Sequence, residues 1–145
     1  MLRVVLDTNV FVSSLLNKTG APAGLMDAWR AGAYLLVTSP SSMAQIKAVL
    51  ELPRIHIRYN LTGADIRQLF DLLEKDAIVV PGRSHAGNII PREPTERIFL
   101  SCALDARADF IVSGDRHLLS LKVFEGIAIE PVAKFLERLA EGPTQ

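Results

Sequence analysis

Short strand-like runs alternate with helix-like segments along the chain, and this alternation constrains the fold more than any other feature. The runs are rich in β-branched and aliphatic residues, as buried strands are, and they lie at residues 2–6, 34–37, 77–80, 110–112 and 127–129. Apolar residues at helical spacing lie between them. Strands separated by helices are joined by crossover connections, which favour a parallel sheet. The pattern predicts an α/β three-layer sandwich, with a central, mainly parallel β-sheet flanked by helices.

Capping and turn residues predict where helices and loops begin. Residues 38–41 are expected to cap one helix, and Thr62 with Asp65 three positions later resembles a capping box that starts another. Residues 52–59, between these helices, alternate basic and apolar side chains. We favour an ordinary connection there over a strand-like edge that contacts RNA. Glycine, asparagine and prolines in residues 83–94 predict a long exposed loop.

Composition restricts the class of protein further. The chain has 145 residues, of which 49% are hydrophobic and 22% charged, and 16 basic residues balance 16 acidic ones. This length predicts a single domain over residues 1–140, with residues 141–145 as a C-terminal tail. The single Cys102 excludes an internal disulfide and a cysteine-based zinc cluster. No apolar run reaches the ~18–20 residues that cross a bilayer, and a strand-like run stands where a signal peptide would begin. We therefore expect a cytoplasmic protein that does not bind membranes.

Acidic residues follow two of the predicted strands. Asp7 comes directly after the first strand, and Asp115 follows the strand at residues 110–112. Because ligands of parallel α/β sheets bind at the carboxyl ends of the strands, both acids should lie at the binding edge. Glu96 occupies the first turn of a predicted helix, where a carboxylate complements the helix dipole. If that helix begins at the same edge, Glu96 becomes a third oxygen donor.

Each of these acids, considered singly, also has an ordinary structural interpretation. Asp7 and Asp115 are typical of turns and helix N-caps, and Glu96 is typical of a helix start. The combination is more specific, because converging carboxylates repel one another unless a cation neutralises them. Oxygen ligands of this kind suit Mg²⁺ or Mn²⁺, which would activate water for phosphodiester hydrolysis.

Two motifs resemble those of a known family. Residues 4–13 (VVLDTNVFVS) are similar to the opening motif of PIN domains, and residues 108–119 (ADFIVSGDRHLL) are similar to their closing acidic motif. The intervening order of elements also matches, so the resemblance covers nearly the whole chain before the last helix. It is strongest to the prokaryotic group described as toxins of toxin–antitoxin pairs. The resemblance implies a metal-dependent endoribonuclease acting on single-stranded RNA, with an antitoxin protein as partner and a homodimeric assembly.

The resemblance also implies roles for individual residues. Asp7, Glu96 and Asp115 match acidic positions that serve in catalysis and metal binding, and Asn9 and Ser113 match polar positions that support them. Gln45, however, stands where the family usually has a glutamate. The family's Asp-Pro-x-Asp sequence appears here as residues 93–96 (EPTE), so two aspartates are replaced by glutamates. Less negative charge weakens cation binding, and a longer side chain shifts the ligand oxygens. We therefore expect attenuated or lost nuclease activity.

Basic residues border the predicted acidic centre. They are suited to bind RNA phosphates, although for any one of them a solvated charged surface is the more ordinary interpretation. The arginines assigned to RNA binding are Arg83, Arg92, Arg97 and Arg116. His85 and His117 belong to the same group of basic neighbours. No feature of the sequence identifies His117 as a general base.

Two alternative functions remain to be compared with the nuclease. A PIN fold that binds RNA or protein without cleavage is favoured by the neutral Gln45. A phosphoaspartate receiver or a haloacid-type phosphatase also has an aspartate after a strand. The phosphatase is disfavoured because Thr8 and Asn9 follow Asp7 without a second aspartate, and the receiver because no lysine closely follows a late strand.

Overall fold

The computed structural model describes residues 1–83 and 94–142. Six strands and eight helices lie in these two ranges. The strands are β1 (Arg3–Leu6), β2 (Leu35–Thr38), β3 (Ile78–Val79), β4 (Phe110–Val112), β5 (Val123–Phe124) and β6 (Ile127–Glu130). The helices are α1 (Thr8–Leu16), α2 (Ala21–Arg30), α3 (Pro40–Leu50), α4 (Pro53–His56), α5 (Gly63–Asp76), α6 (Pro94–Ala106), α7 (Arg116–Leu121) and α8 (Val132–Ala140).

The strands form one sheet in the order β3-β2-β1-β4-β6-β5. All neighbouring pairs are parallel except β5 with β6, which are antiparallel. In the centre of the sheet, Val5 pairs with Val37 on one side and with Ile111 on the other. Because β1 and β4 are adjacent and parallel, the residues that follow them meet at one edge. The predicted α/β sandwich with a mainly parallel sheet is confirmed.

Alternate residues of the central strands enter two hydrophobic cores. Val4 and Leu6 of β1 pack on one face, against residues from α1, α2, α3, α5 and α8. Val5 faces the opposite side, where α6 and α7 supply residues such as Leu100 and Leu118. This alternation is the period-two pattern of a strand buried on both faces. The sheet is thus the middle layer of three.

Side-chain caps begin the helices that the sequence indicated. Ser39 accepts a hydrogen bond from the backbone N–H of Ser42 at 3.1 Å and begins α3. Thr62 and Asp65 form a reciprocal capping box at the start of α5, with hydrogen bonds of 3.1 and 3.0 Å. Such caps satisfy backbone N–H groups that the helix itself leaves unpaired. These two helix starts agree with the sequence prediction.

The structure contains three elements that the sequence did not indicate, α4, α7 and β5. All are too short for a periodic signal, since α4 has four residues, α7 six and β5 two. The turn between β5 and β6 has positive φ angles at Glu125 (50°) and Gly126 (81°), as in a tight hairpin. The strand-like alternative for residues 52–59 is wrong, because Pro53–His56 form a helical turn instead.

Three further side chains belong to the hydrophobic cores on the two faces of the sheet. Phe11, Trp29 and Cys102 are at most 6% exposed. Among the helices that the structure describes, none has the length and apolarity needed to cross a membrane. Most of the loop predicted over residues 83–94, and residues 143–145 of the predicted tail, lie outside the described residues. The domain limit at residue 140 stays a prediction.

Candidate active site

Asp7 lies at the carboxyl end of β1 and begins α1. Its Oδ1 atom accepts a hydrogen bond from the backbone N–H of Asn9 at 2.7 Å, which makes it the N-cap. Its backbone N–H donates to the carbonyl of Val112 in the neighbouring strand at 3.1 Å. The residue is only 4% exposed. The sheet and the helix therefore hold this carboxylate in one buried position.

Ser113 connects Asp7 to the acidic residue that follows β4. Its hydroxyl donates a short hydrogen bond to Oδ2 of Asp7. The hydroxyl oxygen of Ser113 also accepts a hydrogen bond from the backbone N–H of Asp115 at 2.9 Å. Asp115 in turn caps α7, because its Oδ1 accepts the backbone N–H of Leu118 at 3.0 Å. Ser113 is thus hydrogen-bonded to both acidic residues, to the side chain of Asp7 and to the backbone of Asp115.

Glu96 reaches the same edge from α6. It lies in the first turn of that helix and is 5% exposed. Its Oε2 atom is 2.8 Å from Nδ1 of His117, at the start of α7. One ligand atom from each of Glu96, Asp115 and His117 lies within 4.8 Å of the other two. Asp7 is not part of this close group, although it lies in the same pocket.

Asp7, Glu96 and Asp115 line a small pocket of about 150 Å³. It lies at the carboxyl edge of the sheet, between the start of α1, the middle of α3 and the starts of α6 and α7. Its described lining comprises Asp7, Thr8, Asn9, Gln45, Glu96, Phe99, Asp115 and Leu118. Five residues that the sequence assigned to the site thus lie around one pocket: Asp7, Asn9, Gln45, Glu96 and Asp115.

Of the basic residues predicted to border the acidic centre, none that the structure describes lies in the pocket lining. Arg97 and Arg116 are exposed and directly follow the pocket residues Glu96 and Asp115, but they are not in its described lining. Arg83 is exposed on the loop after β3, where its backbone N–H donates to the Asp105 carboxylate at 2.8 Å. Arg92 and His85 lie outside the described residues. The role of these arginines in RNA binding stays a prediction.

The sequence analysis missed two polar residues of this site. His117 was considered only as a basic neighbour, whereas the structure brings its imidazole to Glu96. Its position two residues after Asp115 was the available signal, but the short α7 that directs it was not predicted. Thr8 has no role in the site that the sequence predicts. It is 6% exposed, and its hydroxyl has no hydrogen-bond partner among the residues that the structure describes.

Burial sets the electrostatics of the pocket. Desolvation raises the pKa of Asp7 above its usual value, and the negative charge of Asp115 raises it further. Hydrogen bonds from Ser113 and from the backbone of α1 oppose this shift without cancelling it. A carboxylate in this position is therefore destabilised when ionised, and a bound cation would relieve that cost.

The residues of the pocket fit a divalent cation. Glu96 and Asp115 offer carboxylate oxygens, and Gln45 offers a neutral amide. The hydroxyl of Thr8, which has no hydrogen-bond partner in the described part of the chain, is a further buried oxygen in the lining. Hard cations prefer such oxygen donors, and buried polar groups without partners are uncommon unless a ligand or water uses them.

Fold and site together define the class of this protein. A mainly parallel sheet flanked by helices, with carboxylates gathered at the carboxyl ends of its strands, is an α/β fold of the nuclease type. The chain belongs to the PIN domain family, since the model of that family matches residues 3–117. Members of this family are generally nucleases and commonly bind RNA.

One relative is similar to this chain over most of its length. The uncharacterized protein MJ1680 of Methanocaldococcus jannaschii is 28% identical over 121 residues, which cover 83% of this chain and 76% of the relative. The similarity supports a shared architecture over most of both chains. It assigns no substrate to either protein.

Proposed function

We propose that this protein is a metal-dependent endoribonuclease of the PIN type, with activity attenuated by Gln45 and Glu96. The observation that carries the proposal is the pocket at the carboxyl edge of the sheet, whose lining includes Asp7, Glu96 and Asp115. Mg²⁺ or Mn²⁺ bound there would supply a Lewis acid and a hydroxide nucleophile for attack on phosphorus. The residues that would hold the cation are Asp7, Glu96 and Asp115.

The remaining residues of the site have supporting roles in this proposal. Ser113 orients Asp7 through its hydroxyl, and Asn9 fixes the same carboxylate through its backbone N–H. Phe99 and Leu118 form the apolar part of the lining. The exposed Arg97 and Arg116 would contact RNA phosphates beside the acids, because cationic side chains gain affinity for a polyanion by releasing counterions.

The direct test is cleavage of a mixed RNA pool by the purified protein during titration with Mg²⁺ or Mn²⁺. We expect cleavage to depend on the metal and to be lost in Asp7→Asn. The matched control is Asp76→Asn, an exposed aspartate at the end of α5, which should cleave like the wild type. Cleavage that is unaffected by both the metal and Asp7→Asn would contradict the proposal.

A second candidate function is a PIN fold that binds RNA or protein without cleaving it. The presence of Gln45 in the pocket favours it, because an amide replaces a negative charge beside Asp7 and Glu96. The double variant Gln45→Glu with Glu96→Asp distinguishes the two candidates. An attenuated nuclease should gain metal-dependent cleavage, whereas a dedicated binding module should gain none.

The proposal extends to the biological setting that the motifs suggest. We propose a cytoplasmic toxin that forms a homodimer and is neutralised by an antitoxin protein. The support is the similarity of the opening and closing motifs to PIN-domain toxins. Induced expression should arrest growth in the wild type and not in Asp7→Asn. Equal growth of both strains at equal protein levels would argue against the toxin role.

A further inference from the structure

The contact between His117 and Glu96 has consequences for the choice of metal. The distance from His117 Nδ1 to Glu96 Oε2 is 2.8 Å. The Glu96 side chain is 6% exposed and that of His117 is 24% exposed, so the pair lies mostly out of water. Both side chains come from helix starts at the same sheet edge, which limits their movement apart.

The spacing of the donor atoms suits a shared cation as well as a hydrogen bond. Ligands at about 2.1 Å from a metal lie about 3 Å apart when adjacent and about 4 Å apart when opposite. The 2.8 Å separation of Nδ1 and Oε2 matches adjacent ligands. Asp115 contributes a carboxylate oxygen to the same group, within 4.8 Å of the other two atoms.

The residues of the pocket supply few anionic oxygens, so a nitrogen ligand from His117 would contribute more to cation binding. Gln45 contributes an amide rather than a carboxylate, so a cation here meets fewer anionic oxygens. Thr8 belongs to the same lining and is 6% exposed. Its hydroxyl has no hydrogen-bond partner among the described residues. The donor set around Glu96 is therefore mixed, with one nitrogen among the oxygens.

We propose that His117 donates an imidazole nitrogen to the cation held by Glu96 and Asp115, so that the site selects Mn²⁺ over Mg²⁺. Imidazole suits first-row transition-metal ions, whereas Mg²⁺ prefers oxygen ligands and retains its water. The inference rests on the proposed metal-dependent function and adds the selectivity of the site. A purely positioning role, in which His117 only orients Glu96 by a hydrogen bond, is the competing interpretation.

The test uses pulsed electron paramagnetic resonance on the full chain with bound Mn²⁺, because directly bound imidazole nitrogen gives a characteristic modulation. The key variant is His117→Asn, whose amide nitrogen is as many bonds from Cα as Nδ1 and can still orient Glu96. We expect the nitrogen modulation in the wild type and its loss in His117→Asn. We also expect the variant to lose affinity for Mn²⁺ about ten-fold more than for Mg²⁺.

The other two histidines provide matched controls. His56→Gln, in α4, and His85→Gln should both retain the modulation and the preference for Mn²⁺. A wild-type protein that binds Mn²⁺ without nitrogen modulation would overturn the inference and leave the metal-dependent function standing. Modulation that persists in His117→Asn, or disappears in a control variant, would overturn it as well. A protein that binds neither cation would contradict the proposed function itself.

Discussion

The hydroxyl of Ser113 donates a hydrogen bond to the carboxylate of Asp7, across the junction of two neighbouring strands. Because the hydroxyl oxygen of Ser113 also accepts a hydrogen bond from the backbone N–H of Asp115, one small side chain connects the first and last acids of the pocket. Ser113 lies 106 positions after Asp7 in the chain, and the segment between them includes both the second strand and the helix that carries Glu96. The fold thus converts distant acidic motifs into one site.

Asp7→Asn is expected to remove metal binding without weakening the fold. Burial raises the pKa of Asp7, so its ionised form is less stable in the native protein than in the unfolded chain. Asparagine is a comparable N-cap and carries no charge. In a chelator, the melting temperature should equal the wild-type value or exceed it by a few degrees. Stabilisation by added Mn²⁺ should disappear, and a clear fall in the chelator melting temperature would contradict this account.

Thr8→Val tests whether the buried hydroxyl serves the site rather than the fold. The two side chains are similar in shape, and the hydroxyl has no partner among the described residues. Its removal should therefore change the free energy of unfolding by less than about 0.5 kcal/mol, or increase it. Metal affinity should fall in a calorimetric titration. A destabilisation of about 2 kcal/mol with unchanged metal affinity would assign Thr8 a structural role.

Gln45→Glu should strengthen metal binding and destabilise the metal-free protein. The new carboxylate would enter a pocket that already contains Asp7, Glu96 and Asp115. Repulsion should reduce the free energy of unfolding in a chelator by about 1 kcal/mol, whereas affinity for a divalent cation should rise about ten-fold. Denaturant unfolding and calorimetry measure the two effects. Gln68→Glu, on the exposed side of α5, should change neither quantity.

Arg138→Met should destabilise the domain, because it leaves a buried carboxylate without its partner. Glu130 is 4% exposed, and its Oε1 accepts a hydrogen bond from Nε of Arg138 at 3.1 Å. The guanidinium also lies 4.7 Å from the centre of the Phe110 ring. We expect a loss of about 2 kcal/mol, reduced from the usual range for buried pairs because Arg138 is partly exposed.

Two further variants check this interpretation of Arg138. Lys134→Met removes an exposed cation from the same helix and should change stability by less than about 0.5 kcal/mol. Adding Glu130→Gln to Arg138→Met should recover part of the loss in denaturant unfolding. No recovery would mean that packing on Phe110, rather than the ion pair, dominates.

Cys102 should be inert in the native protein. Burial raises the pKa of its thiol from 9.0 to about 12, so the reactive thiolate is scarce at ordinary pH. A disulfide reagent at pH 8 should modify it only in denaturant. Because the unfolded thiol ionises first, its contribution to stability should be lost as the pH rises from about 9 to about 12. Rapid modification of the native protein would show that this part of α6 opens readily.

Local patterns in the sequence predicted much of the architecture. The strand-like runs, the cap at Ser39 and the capping box of Thr62 with Asp65 depend on near neighbours, so they can be read without tertiary information. Short elements could not be predicted from such local patterns. Arg116–Leu121 and Val123–Phe124 are too brief for a period to emerge, and packing against the sheet stabilises them.

The sequence by itself determined which acids follow the strands, because strand ends and helix starts are encoded by local residue preferences. These local preferences therefore predict that Asp7 and Asp115 lie at the carboxyl edge of a parallel sheet. Only the tertiary structure decided which side chains approach them. Packing of α6 on the sheet brings Glu96 within 2.8 Å of His117. Such contacts join residues far apart in the chain, and no local pattern encodes the distance between them.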